Sequence, residues 1–336
     1  MSSALAKPKI SLILRASVMG GVQTSNEALT NSRLAEKFDF TIVPPDEARR
    51  QLRSGEARVF LFEDACSWRR LPELAAFRLR RGRARIVVHE HHYSEGFEHC
   101  NVRSRARFRA MLRLSYALAD RVVAVSQGQR DWMLRHRLVA PARVAVIRCV
   151  PPLQGFFAVP VKPPARPLIL AALGRFAPQK GFDILLAAIR EIPPGTVQLR
   201  IAGGGPDERA LKDQCGGLRG VSFVGVSTDV AGFLAECDAV VIPSRWEPGA
   251  AVGFEVRAAG KPVIATRVDG LSEQLDGCGL LVEPENPHAL AAALAQLAAA
   301  PAETLCAWGV RGRGAVAEAA ENSLRGWDKL LGDLTR

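Results

Sequence analysis

The chain of 336 residues exceeds one ordinary hydrophobic core, and its 48% hydrophobic residues suffice for two, so two domains are expected. The net charge of +11 is uneven: residues 1–150 carry 27 Lys and Arg against 14 Asp and Glu, whereas residues 151–336 carry 18 against 20. No apolar run approaches the roughly 20 residues that span a bilayer, and no signal-peptide core is present, which predicts a soluble, cytoplasmic protein. Seven scattered cysteines without a Cys-x-x-Cys pair favour reduced thiols over a disulfide framework or a zinc site.

The first half alternates apolar, strand-like runs with helical patterns. A strand at 10–14 leads into a loop with Gly20 and Gly21, and a polar helix is predicted over 23–37. Adjacent glycines let the backbone approach a ligand closely, although any tight strand-to-helix turn uses glycine. Further strands are predicted at 40–43, 59–62, 86–88 and 122–125. This alternation implies a parallel sheet with helices on both faces.

His89, His91 and His92 follow the strand at 86–88, where ligands of open α/β sheets gather. A metal site is one interpretation, but three histidines so close in sequence cannot easily all turn toward one ion, and no other ligand group is evident. A single histidine that hydrogen bonds a sugar or moves a proton is the more economical hypothesis. The structural alternative is imidazoles satisfied by neighbouring backbone.

Arginines of the first half concentrate in residues 78–85 and 103–113. In the second cluster, Arg105, Arg109 and Arg113 fall on one helical face and apolar residues fall largely on another. Such a helix fits an anionic membrane surface or an acidic acceptor. The alternative is a solvated arginine face over an ordinary core stripe, and the concentration of charge in one half modestly favours the functional interpretation. The arginines at the ends of the two clusters are Arg78, Arg85, Arg103 and Arg113.

Six prolines between residues 151 and 167 exclude regular structure and predict a semi-rigid linker. Strand and helix patterns then resume. A strand at 168–173 ends in a turn with Gly174, Arg175, Lys180 and Gly181, which presents two cations suited to a diphosphate. A second glycine turn follows the strand at 199–202. Neither turn has the Gly-Lys-Ser/Thr of a Walker loop, and the absence of G-x-G-x-x-G after the first strand disfavours a dinucleotide dehydrogenase.

Residues 242–255 combine a buried strand end, a helix start and two glutamates. Glu247 precedes the predicted helix start, and Glu255 follows one to two turns later. The amides at this helix start favour a phosphate, and carboxylates accept hydrogen bonds from hydroxyls, which together suit a nucleotide sugar. Two merely solvated glutamates are an equally weighted alternative. The predicted phosphate-binding amides are those of Gly249, Ala250 and Ala251.

In this order and spacing the motifs resemble the glycosyltransferases of family 4, which have the two-domain GT-B architecture. The resemblance extends from about residue 10 to the last helix. Its most specific parts are Gly174-Arg175 with Lys180-Gly181, Gly203-Gly204-Gly205-Pro206, Pro243-Ser244, the Glu247 and Glu255 pair, Gly260-Lys261-Pro262, and Gly270 with Glu273. The first half resembles the family through Gly20-Gly21-Val22-Gln23 and Ala119-Asp120-Arg121.

The resemblance implies a role for each matching residue. Arg175 and Lys180 bind the donor diphosphate and stabilise the leaving group. Glu247 holds the donor sugar, Glu255 the ribose, and the amides of residues 249–251 the distal phosphate. Gly21 lets the first domain close over that phosphate, and His91 hydrogen bonds the sugar near the reacting carbon, with His89 or His92 in its place if the register shifts. Family members retain the anomeric configuration and require no metal or other cofactor.

The sequence also departs from the family pattern at three places. Small residues follow Pro248, Val256 replaces a usual alanine, and Asp269-Gly270 stands where two glycines are common. The chain is short for the family, and the shortening is expected in the first domain. These departures affect the expected sugar pocket and, above all, the acceptor.

The resulting prediction is an α/β protein of GT-B fold, with two Rossmann-like, doubly wound parallel-sheet domains facing a central cleft. Residues 1–150 form the acceptor-binding domain, 151–167 the linker, 168–320 the donor-binding domain and 321–336 a helix crossing back. The expected activity is metal-independent, retaining hexosyl transfer from a UDP- or GDP-type nucleotide sugar to a lipid-linked or surface-polysaccharide acceptor. Peripheral attachment to the inner face of the plasma membrane and no nucleic-acid partner are expected. The alternatives are a nucleotide-sugar epimerase of the same fold and a basic nucleic-acid-binding protein.

Overall fold

The computed structural model describes residues 6–15, 21–275 and 277–336. The chain divides into two compact units, one of Met1–Pro152 with Ala319–Arg336 and the other of Leu153–Glu318. The expected divisions were at residues 150 and 320, with a separate linker over 151–167. Most of that proline-rich segment belongs to the second unit. The expectation that it lacks regular structure was wrong at one turn, helix α7 (Gln154–Phe157), because no proline occurs between residues 152 and 160.

The first unit is built on a six-stranded parallel sheet in the order β2-β1-β3-β4-β5-β6. Its strands are β1 Lys9–Ile13, β2 Asp39–Val43, β3 Ala57–Phe62, β4 Arg85–Glu90, β5 Arg121–Ala124 and β6 Val144–Val146. Its helices are α1 Gly21–Thr30, α2 Pro45–Ser54, α3 Leu71–Arg80, α4 Glu95–Asn101, α5 Arg105–Leu118, α6 Gln127–Arg135 and α15 Ala319–Thr335. Residues 16–20 of the glycine loop, including Gly20, lie outside the described residues.

The helix predicted over 23–37 is two elements. Helix α1 ends at Thr30, and a separate 3-10 turn occupies Arg33–Glu36. The side chain of Ser32 accepts a hydrogen bond from the Leu34 amide and so begins the second element. A serine that caps a new helical turn competes with continuation of the preceding helix.

Each sheet separates two hydrophobic clusters because side chains alternate across a strand. In β4, Ile86 and Val88 pack in one cluster and Val87 in the other. In the second unit, Val240 and Ile242 of one strand pack on one face and Val241 on the opposite face. Sheets covered on both faces require nearly continuous apolar strands, which is the pattern that made these strands visible in the sequence.

The second unit repeats the architecture with the strand order β12-β11-β10-β7-β8-β9. Its strands are β7 Leu168–Leu173, β8 Val197–Ala202, β9 Val221–Gly225, β10 Ala239–Ile242, β11 Val263–Thr266 and β12 Gly279–Val282. Besides α7, its helices are α8 Phe182–Glu191, α9 Glu208–Cys215, α10 Val230–Ala235, α11 Ala251–Ala258, α12 Asp269–Gln274, α13 Pro287–Ala299 and α14 Ala302–Val316. The predicted class of two doubly wound α/β sheets is confirmed.

Within residues 6–15, 21–275 and 277–336, no single helix has both the length and the apolar composition that crossing a bilayer requires. One bent pair, Pro287–Ala299 with Ala302–Thr335, meets the length and composition test jointly.

Strands β7 and β10 are neighbours, so the loops that follow them meet at one edge of the second sheet. Gly181 lies where the first of these loops touches the second. Its φ of 65° is a conformation that L residues rarely adopt. A Cβ atom at this position would lie 2.1 Å from the carbonyl oxygen of Pro243, so the contact requires glycine.

We therefore predict that Gly181→Ala lowers the stability of the second unit more than Gly217→Ala does. Gly217 has a similar φ of 79°, but nothing lies within 4 Å of its added Cβ atom. Both substitutions carry a left-handed strain of about 1–2 kcal/mol, and only Gly181→Ala adds a backbone clash. Thermal unfolding should show a melting temperature lower by at least ~5 °C in Gly181→Ala than in Gly217→Ala. Equal melting temperatures would contradict the close contact.

Candidate functional site

The loop after β7 carries the two cations predicted to meet a diphosphate. Arg175 is exposed and has no ion-pair or hydrogen-bond partner among the described residues. Lys180 ends a 3-10 turn over Pro178–Lys180, and its aliphatic stem passes Gly174, where an added Cβ atom would lie 3.5 Å from it. The structure thus leaves one cation in solvent and directs the other toward the loop after β10.

Lys180 and Glu247 form an ion pair across these two loops. The Lys180 Nζ atom lies 2.5 Å from Glu247 Oε2, and the Glu247 side chain is 8% exposed. The Ser244 hydroxyl lies 3.5 Å from the same carboxylate oxygen. A buried carboxylate needs such a partner, because an unpaired charge is costly to remove from water. The second oxygen of Glu247 has no partner among the described residues and can accept from a ligand hydroxyl.

Arg245 fixes the loop that carries Lys180. Its guanidinium donates to both carboxylate oxygens of Asp183 at 2.8 and 2.7 Å and to the Pro178 carbonyl at 2.8 Å. Its Nε atom lies 3.2 Å from Glu285 Oε1. Burial raises the pKa of Asp183, but the hydrogen bonds from Arg245 outweigh it, so the pKa is lowered. Sequence reasoning missed this clamp, because nothing in the pattern distinguishes Arg245 from a surface arginine.

Asp269 holds the backbone of Glu247. Its carboxylate accepts a hydrogen bond from the Glu247 amide at 2.8 Å, and the Gly270 amide donates to the Glu247 carbonyl at 3.2 Å. Asp269 itself has a φ of 38°, in the region that favours glycine. The sequence showed Asp269 only as a departure from a pair of glycines. The structure shows that its side chain makes a bond that glycine lacks.

Helix α11 begins later than the sequence indicated. Its first residue is Ala251, and Ala250 is the N-cap, with a side chain that is 1% exposed. Of the three amides predicted to meet a phosphate, only that of Ala251 lies inside the helix, and those of Gly249 and Ala250 precede it. The helix start nevertheless lies directly after the loop that positions Glu247.

Glu255 lies on the fifth residue of α11 and is partly buried. Burial raises the pKa of this carboxyl to about 7, whereas the nearby charge of Lys180 lowers it. A carboxyl group with a pKa near 7 beside a cation is typical of functional sites. Lys180, Glu247 and Glu255 are therefore brought together within the second unit.

In the first unit all three clustered histidines turn toward Glu63, the residue that follows β3. His89 Nδ1 lies 3.1 Å and His91 Nε2 2.6 Å from Glu63 Oε2, and His92 Nε2 lies 3.2 Å from the Glu63 carbonyl. Glu63 is completely buried. Burial raises its pKa, but the two imidazoles outweigh this and lower it to about 2. Sequence reasoning missed Glu63, although a charged residue directly after the apolar strand was a usable signal.

Cys149 completes this cluster. Its Sγ atom lies 3.5 Å from His89 Nε2 and 3.5 Å from His91 Nδ1. The sequence argument against a metal relied on the absence of another ligand group near the histidines, and that step was wrong. His89, His91 and Cys149 offer three ligand atoms within 4.8 Å of one another. Both ring nitrogens of His91, the predicted sugar contact, are thus engaged inside the unit.

The predicted arginine face of α5 is only partly solvated, because Arg105 and Arg113 are exposed whereas Arg109 is half-buried. Arg109 makes hydrogen bonds of 2.6 and 3.0 Å with buried Glu98, and Arg113 donates to the carbonyls of His136 and Arg137 at 2.9 and 3.3 Å. Burial raises the pKa of Glu98, but Arg109 and Trp132 outweigh it and lower the pKa. Arg109 and Arg113 therefore fix neighbouring elements, and Arg113 does so while it remains exposed.

The arginine cluster at 78–85 is also partly internal. The side chains of Arg78, Arg81 and Arg85 converge on Asp120. Arg80, Arg83 and Arg85 are nevertheless exposed. The excess positive charge of the first half therefore reaches solvent through fewer side chains than the sequence suggested.

Two family models match the chain. One, described as Glycosyltransferase Family 4, matches residues 33–150, and the other, described as Glycosyl transferases group 1, matches residues 167–300. The chain belongs to the family 4 glycosyltransferases. The family model over 33–150 includes the histidine cluster of this family 4 member, and the model over 167–300 includes Lys180, Glu247 and Glu255.

Two curated relatives resemble parts of this family 4 chain. It is 37% identical over 144 residues to the lipopolysaccharide core biosynthesis glycosyltransferase LpsD of Rhizobium meliloti (strain 1021), a match that covers 41% of each chain. It is 39% identical over 124 residues to the uncharacterized glycosyltransferase MJ1178 of Methanocaldococcus jannaschii, which covers 35% of this chain and 34% of that protein. The chain therefore spans about two fifths or less of the length of these relatives.

Solved structures resemble nearly the whole family 4 chain. Anabaena Alr3699/HepE in complex with UDP and glucose has a TM-score of 0.76 and 18% identity, covering 97% of this chain and 100% of that chain. The lipopolysaccharide outer core galactosyltransferase WaaB in its apo form has a TM-score of 0.71 and 14% identity, covering 97% and 99%. These likenesses establish the GT-B fold.

The raised pKa of Glu255 predicts that the stability of the fold decreases as the pH rises. The pKa rises from an ordinary value of 4.5 to about 7 on folding. As the pH rises, the unfolded chain therefore releases the proton at lower pH than the folded chain does. The resulting loss of folding stability grows between about pH 4.5 and 7 and is complete above pH 7. Glu255→Gln should raise the free energy of unfolding at pH 8 by ~1–3 kcal/mol, and by much less at pH 5, which thermal unfolding shows as a higher melting temperature at pH 8.

Glu247→Gln is the matched control. The charge of Glu247 is stabilised by its ion pair with Lys180, whereas burial disfavours the charged form of Glu255. This change should lower the melting temperature at pH 8. A gain in Glu255→Gln that does not vary between pH 5 and 8 would show that the carboxyl titrates normally in the folded chain.

Proposed function

We propose that this protein is a retaining glycosyltransferase that moves a sugar from a nucleoside diphosphate donor to a glycan or lipid-linked acceptor. The observation that carries the proposal is the convergence of Lys180, Glu247 and Glu255 at the edge where β7 and β10 are neighbours. Ligands of open α/β sheets bind at the carboxyl ends of the strands. A cation flanked by two carboxylates suits a diphosphate joined to two polyols.

The cations act on the diphosphate. Arg175 has its donors available in solvent and pairs with phosphate oxygens in a bidentate manner. Lys180 adds a point charge and stabilises the negative charge that develops as the diphosphate leaves. Because two cations supply this stabilisation, we propose that transfer requires no metal at the diphosphate. The amide of Ala251 at the start of α11 contributes a hydrogen bond to the distal phosphate.

The carboxylates act on the sugars. Glu247 is fixed by Lys180 through its side chain and by Asp269 through its backbone, and its second oxygen accepts from a hydroxyl of the donor sugar. Glu255 accepts from the ribose hydroxyls once it is ionised, and the positive charge of Lys180 favours that ionised form. The order of the two glutamates along the chain thus orients the donor, with its sugar beside Glu247 and its nucleoside beside Glu255.

The residues predicted in the first unit, Gly21 and His91, remain predictions. Gly21 begins α1 and is exposed. His91 contacts a sugar only if it exchanges one of its bonds with Glu63 or Cys149. The proposal therefore relies on the second unit for the donor.

For the acceptor, we propose a lipid-linked or surface polysaccharide at the inner face of the plasma membrane. One support is the excess of basic residues in the first half. A second is the similarity to LpsD, whose name places it in lipopolysaccharide core biosynthesis. A third is the exposure of Arg80 and Arg83 beside Leu79, which is 85% exposed. Basic side chains near an exposed apolar residue suit the interface of an anionic bilayer.

We predict that Arg175→Ala weakens binding of a nucleoside diphosphate without loss of stability. The side chain has no partner among the described residues, so its removal leaves the fold unchanged. Loss of a hydrogen bond to a charged group costs about 1.5–3 kcal/mol, which is roughly a 10- to 100-fold weaker Kd. Isothermal titration with UDP, GDP and ADP, with and without EDTA, measures this effect and the role of metal together.

The control is Arg209→Ala, which removes an exposed arginine from the same unit. This variant should bind the preferred nucleotide as the unaltered protein does. Equal affinities of the Arg175→Ala and Arg209→Ala variants would refute the diphosphate assignment. Binding that EDTA abolishes would refute metal independence at the diphosphate.

We predict that liposomes containing anionic lipid retain the protein at low salt and release it at high salt. Replacing both Arg80 and Arg83 with glutamate should weaken co-sedimentation about 10-fold or more. Each basic residue removed loses about 1 kcal/mol of attraction to the anionic surface, and each glutamate added is repelled by it. Replacing Arg209 and Lys212 of the second unit with glutamate is the matched control and should have little effect. Retention that is equal in both double variants would contradict membrane attachment at this surface.

A further inference from the structure

Four side chains converge at the carboxyl edge of the first sheet and make contacts that the proposed donor site in the second unit does not explain. Glu63 follows β3, His89 and His91 lie at the end of β4, and Cys149 follows β6. The side chains of Glu63, His89 and His91 are 0%, 3% and 6% exposed. The ring of Trp327 packs edge-on against His89, with centroids 5.0 Å apart. Buried polar groups need hydrogen-bond partners, so the positions of the protons and charges in this cluster decide what it can bind.

Glu63 determines which ring nitrogens carry protons. As a carboxylate it accepts from His89 Nδ1 at 3.1 Å and from His91 Nε2 at 2.6 Å. An imidazole that donates through one nitrogen and is neutral has a lone pair on the other. The lone pairs of His89 Nε2 and His91 Nδ1 then both face Cys149 Sγ, each at 3.5 Å.

While both imidazoles are neutral, one thiol proton cannot satisfy two facing lone pairs, and either a second ring proton or a cation has to fill the gap. The S–H group of Cys149 can donate to one ring nitrogen, and the other then faces sulfur without a hydrogen between them. A cation in the space between the three atoms would accept all three lone pairs at once. The carboxylate–histidine arrangement is also the one by which proteins orient metal-binding imidazoles.

We propose that His89 Nε2, His91 Nδ1 and Cys149 Sγ bind a zinc-class divalent ion, with Glu63 as the carboxylate that orients both imidazoles. Tetrahedral zinc has Zn–N distances of about 2.0–2.1 Å and a Zn–S distance of about 2.3 Å, which separates the nitrogen and sulfur ligands by about 3.5 Å. Both observed nitrogen–sulfur distances are 3.5 Å. A mixed thiolate and imidazole set selects zinc over magnesium or calcium, which prefer oxygen.

Charge balance supports this assignment. A divalent ion neutralises the Glu63 carboxylate and the Cys149 thiolate together, so the buried cluster carries no net charge, which lowers the desolvation cost of the cluster. Three protein ligands leave a fourth position for water. The inference is independent of the proposed donor site, whose residues all belong to the second unit. It revises the expectation of no metal site, and it withdraws His91 from any sugar contact while the ion is bound.

Cobalt provides the direct test, because it replaces zinc and is visible spectroscopically. The full chain is dialysed against EDTA, freed of chelator and titrated anaerobically with Co²⁺. We expect saturation at about one equivalent, with a thiolate-to-cobalt charge-transfer band and the intense visible absorption of a tetrahedral site, both abolished by about one equivalent of Zn²⁺. Absence of the charge-transfer band at saturating Co²⁺ would overturn the proposal and leave hydrogen bonds alone between the thiol and the imidazoles.

Three variants locate the ion. Cys149→Ala should lose the charge-transfer band, whereas Cys100→Ala, which removes a cysteine of the same unit, should retain it. Glu63→Gln should retain the band at saturation but bind Zn²⁺ ~10- to 100-fold more weakly, because a neutral amide oxygen accepts from the imidazoles more weakly than a carboxylate and adds no negative charge beside the ion. A band that persists in Cys149→Ala, or that disappears in Cys100→Ala, would exclude the site at Cys149.

Alkylation of the unaltered protein tests the site even if a variant fails to fold. Iodoacetamide modification of Cys149, followed by mass spectrometry of its peptide, should slow at least ~10-fold after addition of Zn²⁺, because a metal-bound thiolate is a poorer nucleophile. Modification of Cys100 should be unchanged. Equal rates at Cys149 with and without Zn²⁺ would contradict metal binding there.

Discussion

The second unit depends on one buried ion pair, between Lys180 in the loop after β7 and Glu247 in the loop after β10. Strands β7 and β10 are adjacent in the sheet although β8 and β9 lie between them in the sequence. Lys180 and Glu247, which are 67 positions apart, therefore meet at one edge of the sheet. Arg245 holds the lysine loop through Asp183, and Asp269 holds the backbone of Glu247. The ion pair is therefore supported from both sides, and it places a cation and a carboxylate where a diphosphate sugar would require them.

The fold was predictable because its signals are local. Strands that are covered on both faces must be apolar throughout, whereas the helices between them show the helical periodicity of apolar residues. The two α/β sheets were therefore predictable from the sequence. The convergence of Lys180, Glu247 and Glu255 was predictable for a related reason. Lys180 and Glu247 lie in loops that follow strands marked by the pattern, and Glu255 lies about one turn into the helix after the second loop. The helix break near Ser32 and the late start of α11 at Ala251 were not, because single capping contacts decide where such elements end.

Contacts between distant residues account for the rest. Asp183, Arg245 and Asp269 position the loops of the proposed donor site through side chains whose partners lie far along the chain, and no spacing rule identifies them. The arginines of α5 suggested an exposed basic face, and Arg105 and Arg113 are exposed. Arg109 instead compensates the buried carboxylate of Glu98, a contact that only the tertiary structure reveals. The histidine cluster changed most, since Glu63 contacts both His89 and His91, and Cys149 joins these two histidines in a set with metal-binding geometry.

The most direct measurement of the central claim is the release of nucleoside diphosphate from a nucleotide sugar in the presence of an extract of lipid-linked glycans. The account predicts release from one nucleotide class, labelled sugar in the lipid or glycan fraction, and loss of both in Lys180→Ala but not in Lys212→Ala. Release that is unchanged in a folded Lys180→Ala variant would contradict the assigned site. Conversion of the donor to an epimer without release of nucleoside diphosphate would contradict transfer itself.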